Sequence, residues 1–407
     1  MGFEDEYNLC RPHINQVNFH WLGGRDWSQG YVSEPQPTDD DEDPKEVWTV
    51  VRDTSTSLPV FETTIRYLGG MLGAYDLSGD TLLLERSVEL AGILGKAFNT
   101  MSGLPAGRID PGIEGEVFRL GTVSIAEVGS MSLEFIRLSH ITRDRKWFDF
   151  AQRAMDYLEE RVIPRAAHSP LIPLWFQPDA TLELPLNGQV ALGGLADSYY
   201  EYLIKTYKLL GASDVAQQWR EVYEDSVAKV KELLYVDIAF IPDHDILAIG
   251  KHENNRLIPE IEHLTCFAGA MLGLGARLLD RHADLVDAQR ITQSCYWLSA
   301  ATPTGLQPEV VEFFNPTAIT YQNVTLDGRP YHPLLGQDPI DDTLVHKDRN
   351  GVLRWNHDGE AVSSAGEGEL GDAVAYVRRL GGIPPGSKKV VRRGINRPET
   401  IESIYYM

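Results

Sequence analysis

Cysteine is nearly absent. Cys10, Cys266 and Cys295 are the three in 407 residues, too few for a disulfide scaffold or an all-cysteine zinc site, and no CxxC or HExxH pattern occurs. Long apolar runs are missing too: no stretch of about eighteen apolar residues could cross a membrane, and the opening "MGFEDEYNLCRPHINQVNFH" has no apolar core of signal-peptide length. As written, the sequence therefore predicts a soluble chain with no transmembrane segment and no secretion address. Basic residues are outnumbered, with 37 Lys and Arg against 59 Asp and Glu, a formal charge of −22 that repels phosphate backbones and anionic lipid. Nucleic acid is excluded as a natural partner. What is present is apolar material: 43% hydrophobic residues, with eight tryptophans and seventeen tyrosines, enough for a large core. Asn323-Val324-Thr325 is a glycosylation sequon, a weak pointer to a secretory life.

Residues 1–58 read as an irregular segment with glycine pairs and the acidic run "SEPQPTDDDEDPKE". From Pro59 to Met407 the texture is helical, with amphipathic stretches such as "VFETTIRYLGGMLGAYDLSGD", "EVGSMSLEFIRLSHITRD", "DSYYEYLIKTYKLLGASD" and "HLTCFAGAMLGLGARLLD". Their turns carry Asp80, Asp144, Asp214 and Asp280, about 65 to 70 residues apart, and each turn is followed by a second helix. The repeat unit is a helical hairpin with a connecting loop. Such a chain is all-α, either an open solenoid or a closed toroid of helix pairs.

About 17 or 18 residues before each turn stands an acid: Glu62, Glu127, Asp197 and the pair Glu262-His263. At about 1.5 Å per residue the separation is a helix length, so these groups lie at the rim opposite the turns, and a closed ring would gather them at one mouth. Glu399, in the closing "RRGINRPETIESIYYM", occupies the same place on what would be a fifth such helix. Any one of them is at home in a first helical turn through the macrodipole alone. Several together, in one cavity, raise one another's pKa and create conditions for general acid and base chemistry.

"VFETTIRYLGGMLGAYDLSGD", "AEVGSMSLEFIRLS", "GGLADSYYEYLIK", "HLTCFAGAMLGLGA", "TPTGLQPE" and "RPETIESIYYM", in that order from Pro59 to Met407, resemble glycoside hydrolase family 47, the class I α-1,2-mannosidases. A stretch from about Asn315 to Gly394, loop-like in composition, interrupts the likeness. The resemblance implies an (α/α)7 barrel that hydrolyses α-1,2-linked mannose of high-mannose N-glycans or glycoproteins with inversion, using bound calcium, in the endoplasmic reticulum or Golgi or after secretion. Carried onto this sequence, Glu127 would be the general acid, Asp197 and Glu309 further active-site acids, and Glu399 the base that activates water. Arg397 and Glu402 would orient Glu399 and the sugar, and Glu201 and His263 would bind the substrate. Cys266 and Cys295 match the family disulfide and are expected about 4.4 to 6.8 Å apart at Cα. Cys10 has no counterpart, and Leu195 stands where some members place an arginine.

The resemblance also has gaps. The family's opening helical pair has no match in residues 1–58, and nothing follows "PETIES" that corresponds to its later helices or its calcium-binding threonine. The barrel is therefore expected to be incomplete and to leave apolar helix faces exposed, with no metal ligands assigned and little or no calcium-dependent turnover by this chain alone. The rival expectation is a non-catalytic glycan-binding or partner-binding module on the same fold. A different α/α-toroid glycosidase is disfavoured by six motifs in one family's order.

Overall fold

The computed structural model describes residues 57–113, 115–178, 185–238, 244–302 and 304–313, the backbone of short strands between 325 and 363, and residues 384, 387–391, 395 and 397–407. Residues 1–56, and with them Cys10 and nearly all of the segment read as irregular, lie outside the described residues, as does the sequon asparagine Asn323. The chain divides into two compact units.

The first unit comprises residues 1–166, 175–186 and 209–211. A short helix, Val60–Thr63, and a π turn, Thr64–Leu68, run into α1 (Gly69–Ser78), which is paired with α2 (Thr81–Leu94). Gly79 ends α1 in the left-handed region at φ 71°, and Asp80 caps α2 by accepting the Leu82 N–H at 3.0 Å. The next hairpin repeats the device. A five-residue helix, α3 (Ile125–Gly129), precedes α4 (Ser132–Thr142); Arg143 closes α4 at φ 57°, and Asp144 caps α5 (Arg145–Tyr157) through the Lys146 N–H at 3.1 Å. The core between these helices is built from Leu72, Leu90, Leu94, Phe135 and Trp147, with Phe98 edge-on to Phe135 at 5.3 Å and stacked on Phe150 at 4.8 Å.

The second unit comprises residues 167–174, 187–208 and 212–407. Helix α6 (Asp197–Leu210) belongs to it as far as Lys208, and α7 (Asp214–Leu233) follows after Gly211 at φ 62°. Here the cap is Ser213, which accepts the Ala216 N–H at 3.3 Å, while Asp214 is the first helical residue. In the last hairpin, α8 (Ala268–Leu278) and α9 (His282–Ala300), Asp280 sits in the turn at φ 55° without capping. The four aspartates thus mark four turns but do three jobs, two as caps, one in a first turn and one in a left-handed bend.

Helix α8 is approached closely. A Cβ on Gly275 would meet the Tyr223 hydroxyl of α7 at 2.0 Å, and one on Gly269 would meet Thr292 Oγ1 of α9 at 2.3 Å and Ser403 Oγ at 2.8 Å. Ser403 belongs to α10 (Glu399–Tyr406), which packs on α8 and on the tight turn Leu264–Phe267 before it. The other face of α10 leaves Ile401 69% and Tyr405 86% exposed. Cys266 in that turn is bonded to Cys295 in α9, with Cα atoms 5.9 Å apart, inside the expected range.

A three-stranded antiparallel sheet also lies in this unit. Its central strand, β2 (Val310–Phe313), pairs Val311 with Ile261 of β1 (Glu260–Glu262) and with Val390 of β3 (Ser387–Val391). Strand β3 corrects the loop reading of residues 315–394. It is five residues long, and its partner lies far back in the sequence, so no local pattern announced it. Among the described residues no helix is long and apolar enough to cross a membrane.

Candidate active site

In the second unit four elements meet at the same cluster of charge. Helix α6 contributes Asp197, Glu201 and Lys205, spaced four apart down one face. The end of β1 contributes Glu262, followed by His263, and Glu309 sits at the entry to β2, its C=O accepting the His263 N–H at 2.8 Å. The first turn of α10 supplies Glu399 and Glu402, with Arg397 two residues ahead of the helix.

The Glu262 carboxylate accepts the Gly194 N–H at 2.9 Å, and a Cβ on Gly193 would lie 2.1 Å from its Oε2, so the glycine pair before α6 makes room for this acid. Leu195, next in the chain, takes φ 74° and is 39% exposed. Glu309 is gripped by Arg397, whose Nε lies 3.0 and 2.9 Å from its two oxygens and whose Nη2 also donates to Oε1. Lys205 Nζ donates to Glu201 Oε1 at 2.5 Å and to Glu402 Oε1 at 3.2 Å. Two buried atoms in the cluster have no hydrogen-bond partner, Glu399 Oε2 and His263 Nδ1.

Crowded acids away from water resist ionisation. Burial first, then the carboxylates of Glu262, Glu201 and Glu399, push Asp197 up to about 6, with the bond from the Ser198 N–H working against them. Burial also raises Glu201, Glu262 and Glu399, each against partial relief from Lys205, the Gly194 N–H or Arg397 respectively. Burial lowers His263, which favours its neutral form. The arrangement strengthens the hold of these carboxylates on protons and leaves one oxygen of Glu399 without a protein partner.

Of the residues singled out in the sequence, Asp197, Glu201, His263, Glu309, Arg397, Glu399 and Glu402 share this cluster. The two rim acids of the first unit are placed differently. Glu62 is exposed and ion-paired with Arg66 at 2.6 Å, an ordinary surface contact. Glu127 is half-buried in a capping box at the start of α3, its Oε2 3.0 Å from Ser124 Oγ and its N–H donating to that hydroxyl at 3.3 Å. Glu262 stands at the end of a strand, where a helix start was expected. Lys205 was missed; its spacing from Glu201 signals the local pair, but its bond to Glu402, 197 residues on, has no local trace. Among the described residues no three His, Cys, Asp or Glu side chains are placed to hold a metal ion, and Arg397 and Lys205 already take up the cluster's closest oxygens.

A profile of glycosyl hydrolase family 47 matches residues 1–407. The mannosyl-oligosaccharide 1,2-alpha-mannosidase of Candida albicans is 33% identical over 281 residues, 63% of this chain and 47% of that protein. The mannosyl-oligosaccharide alpha-1,2-mannosidase IA of Spodoptera frugiperda is 31% identical over 318 residues, 74% of this chain and 42% of that protein. The chain spans about half the length of the curated relatives it matches. The solved alpha-1,2-mannosidase from Trichoderma reesei shares the fold, with a TM-score of 0.65 at 21% identity, covering 99% of this chain and 68% of that one. That fold is the (α/α)7 barrel that the resemblance implied, where the hairpin repeat by itself left an open solenoid or a closed toroid. The chain belongs to glycosyl hydrolase family 47.

Proposed function

We propose that this protein is an inverting α-1,2-mannosidase acting on high-mannose N-glycans, with Glu399 as the general base. The observation that carries the reading is the state of Glu399. It is a carboxylate with a raised pKa, at the first position of a helix anchored on three sides, and one of its oxygens is buried with no protein partner. A base in an inverting site needs that free oxygen for the attacking water.

In this reading Arg397 fixes Glu309 through the bidentate grip and stands beside Glu399 as a positive charge. Asp197 supplies a second carboxyl in the same cluster, pushed up to about 6. His263, neutral and with Nδ1 unpaired, offers a hydrogen bond to a sugar hydroxyl. Glu201 and Glu402 line the same region, and Glu127 of the first unit is the assigned acid. Calcium belongs to the reading only as the family's implication, and no step above depends on it. Relatives from Homo sapiens and Schizosaccharomyces pombe carry "endoplasmic reticulum" in their names, and the Cys266–Cys295 bond suits an oxidising compartment; both support a secretory-pathway location.

The test is mannose release from α-1,2-mannobiose and from a high-mannose glycan, with the first-formed anomer read by NMR and chelator added in a parallel arm. The expected product is the β-anomer, and Glu399→Gln should lower kcat about 100- to 10,000-fold. Formation of the α-anomer, or unchanged turnover in Glu399→Gln, refutes the assignment.

A further inference from the structure

Lys205 has no role in the reaction as written above, yet it is the cation that joins two helices of the cluster. Its Nζ reaches Glu201 one turn back on α6 and Glu402 on α10, and the three side chains are only 25%, 18% and 29% exposed. Burial by itself would favour loss of its proton, but the two carboxylates outweigh burial and the ammonium is held charged.

The surroundings of Glu399 give this cation its significance. The ionisable groups that face Glu399 are Arg397 just ahead of it, Glu402 one turn on, and Glu201 and Asp197 from α6. The turn Leu264–Phe267, α8 and α9 also pack on α10, the first two through Cys266, Gly269 and Ala270, none of which titrates. Arg397 is committed to Glu309. The counter-charge for Glu201 and Glu402 therefore comes from Lys205. Helix α10 has eight residues, a length with no stability of its own. Thr400 and Ser403 tie down its buried face, through Gln307 at 2.6 Å and through the Cys266 C=O at 2.5 Å. The bond to Lys205 ties the face that carries the acids.

We propose that Lys205 is the positioning residue of the base: by bridging Glu201 and Glu402 it fixes the acidic face of α10 beside α6 and neutralises the two carboxylates that flank Glu399. The proposal rests on the reading of Glu399 as the base, and its test is chosen to separate the two. In Lys205→Met the flanking acids lose their shared cation, so Glu399 keeps its proton to higher pH. In Lys205→Arg the charge returns.

With 13Cδ-labelled glutamate, the Glu399 resonance is identified by its disappearance in Glu399→Gln. Its titration midpoint should rise by about half to one pH unit in Lys205→Met and return towards wild type in Lys205→Arg. On α-1,2-mannobiose, Lys205→Met should lower kcat about 10- to 100-fold, leave KM within about threefold, and move the acid limb of the pH profile up in parallel. An unmoved Glu399 midpoint overturns the proposal, as do equal effects of Met and Arg. A shifted midpoint together with unchanged turnover in Glu399→Gln refutes Glu399 as base but not the hold of Lys205 on it. Should Lys205→Met fail to fold, Glu402→Gln removes the inter-helix ion pair, together with one of the charges that flank Glu399. It should then cost residues 399–406 hydrogen-exchange protection, and unchanged protection overturns the proposal.

Discussion

Replacing Asp197 by Asn should make the folded protein more stable at neutral pH. Burial and the neighbouring carboxylates raise this group from its ordinary 3.8 to about 6, even with the Ser198 N–H donating to Oδ1 at 2.8 Å. A rise of that size means that the ionised form costs the folded state about 3 kcal/mol. The sign follows from linkage. A carboxyl whose folded pKa is raised favours folding fully below its unfolded value, and that contribution is lost as pH rises through about 6. Asparagine keeps the acceptor for Ser198 and removes the charge. Urea unfolding should therefore show Asp197→Asn more stable than wild type by up to about 3 kcal/mol at pH 7.5, with the gap closing towards pH 4. Activity should fall in the same variant, since a group that costs the fold this much and leaves the rate unchanged would have no place in the cluster. Parallel stability curves for the two proteins between pH 4 and 7.5 would refute the reasoning, because they would mean that Asp197 ionises in the folded state as readily as in the unfolded chain.

Ser403→Ala leaves the Cys266 C=O and the Ala270 N–H buried without their partner, at a cost of about 2 to 4 kcal/mol, and should appear as faster hydrogen exchange confined to residues 397–407. Removing the Cys266–Cys295 bond, which closes a sequence separation of 29, should lower stability by roughly 3 to 4 kcal/mol in unfolding with and without reductant. Arg397→Lys keeps the charge but loses the two-pronged grip on Glu309, and kcat should fall at least about tenfold with little change in the melting temperature.

Much of this was legible in the sequence because it is periodic or local. The hairpins follow from helical spacing and from Gly79, Asp80 and Asp144 at their turns, whose chemistry is read within a few residues. The roles of Asp197, Glu309 and Glu399 were inferred from motif resemblance, and the structure adds where their charges meet. What local sequence could not carry is pairing over long distances: Lys205 with Glu402, Glu262 against Gly193 and Gly194, and β3 beside β2. Each is fixed by tertiary approach, and neither partner shows a pattern that names the other. Glu127 marks the opposite boundary. The capping box explains its position completely at the level of local structure, so a catalytic role for it rests on family membership and not on its surroundings.

The cluster also explains why the packing around it is so tight. Six carboxylates, Asp197, Glu201, Glu262, Glu309, Glu399 and Glu402, gather against Arg397 and Lys205, and burial alone raises several of their pKa values. Such a site opposes folding near neutral pH and persists only if its supports are rigid without it. Those supports are uncharged and lie one layer back: the disulfide holding the Leu264–Phe267 turn to α9, Gly269 and Gly275 admitting Ser403 and Tyr223 to the surface of α8, and Ser403 fastening α10 to both. Electrostatic repulsion inside the cluster and close packing behind it are therefore two parts of one design. Loosening the uncharged layer should spread the acids apart and return their pKa values towards ordinary carboxylate values, and with that the protonation pattern that the proposed hydrolysis requires would be lost.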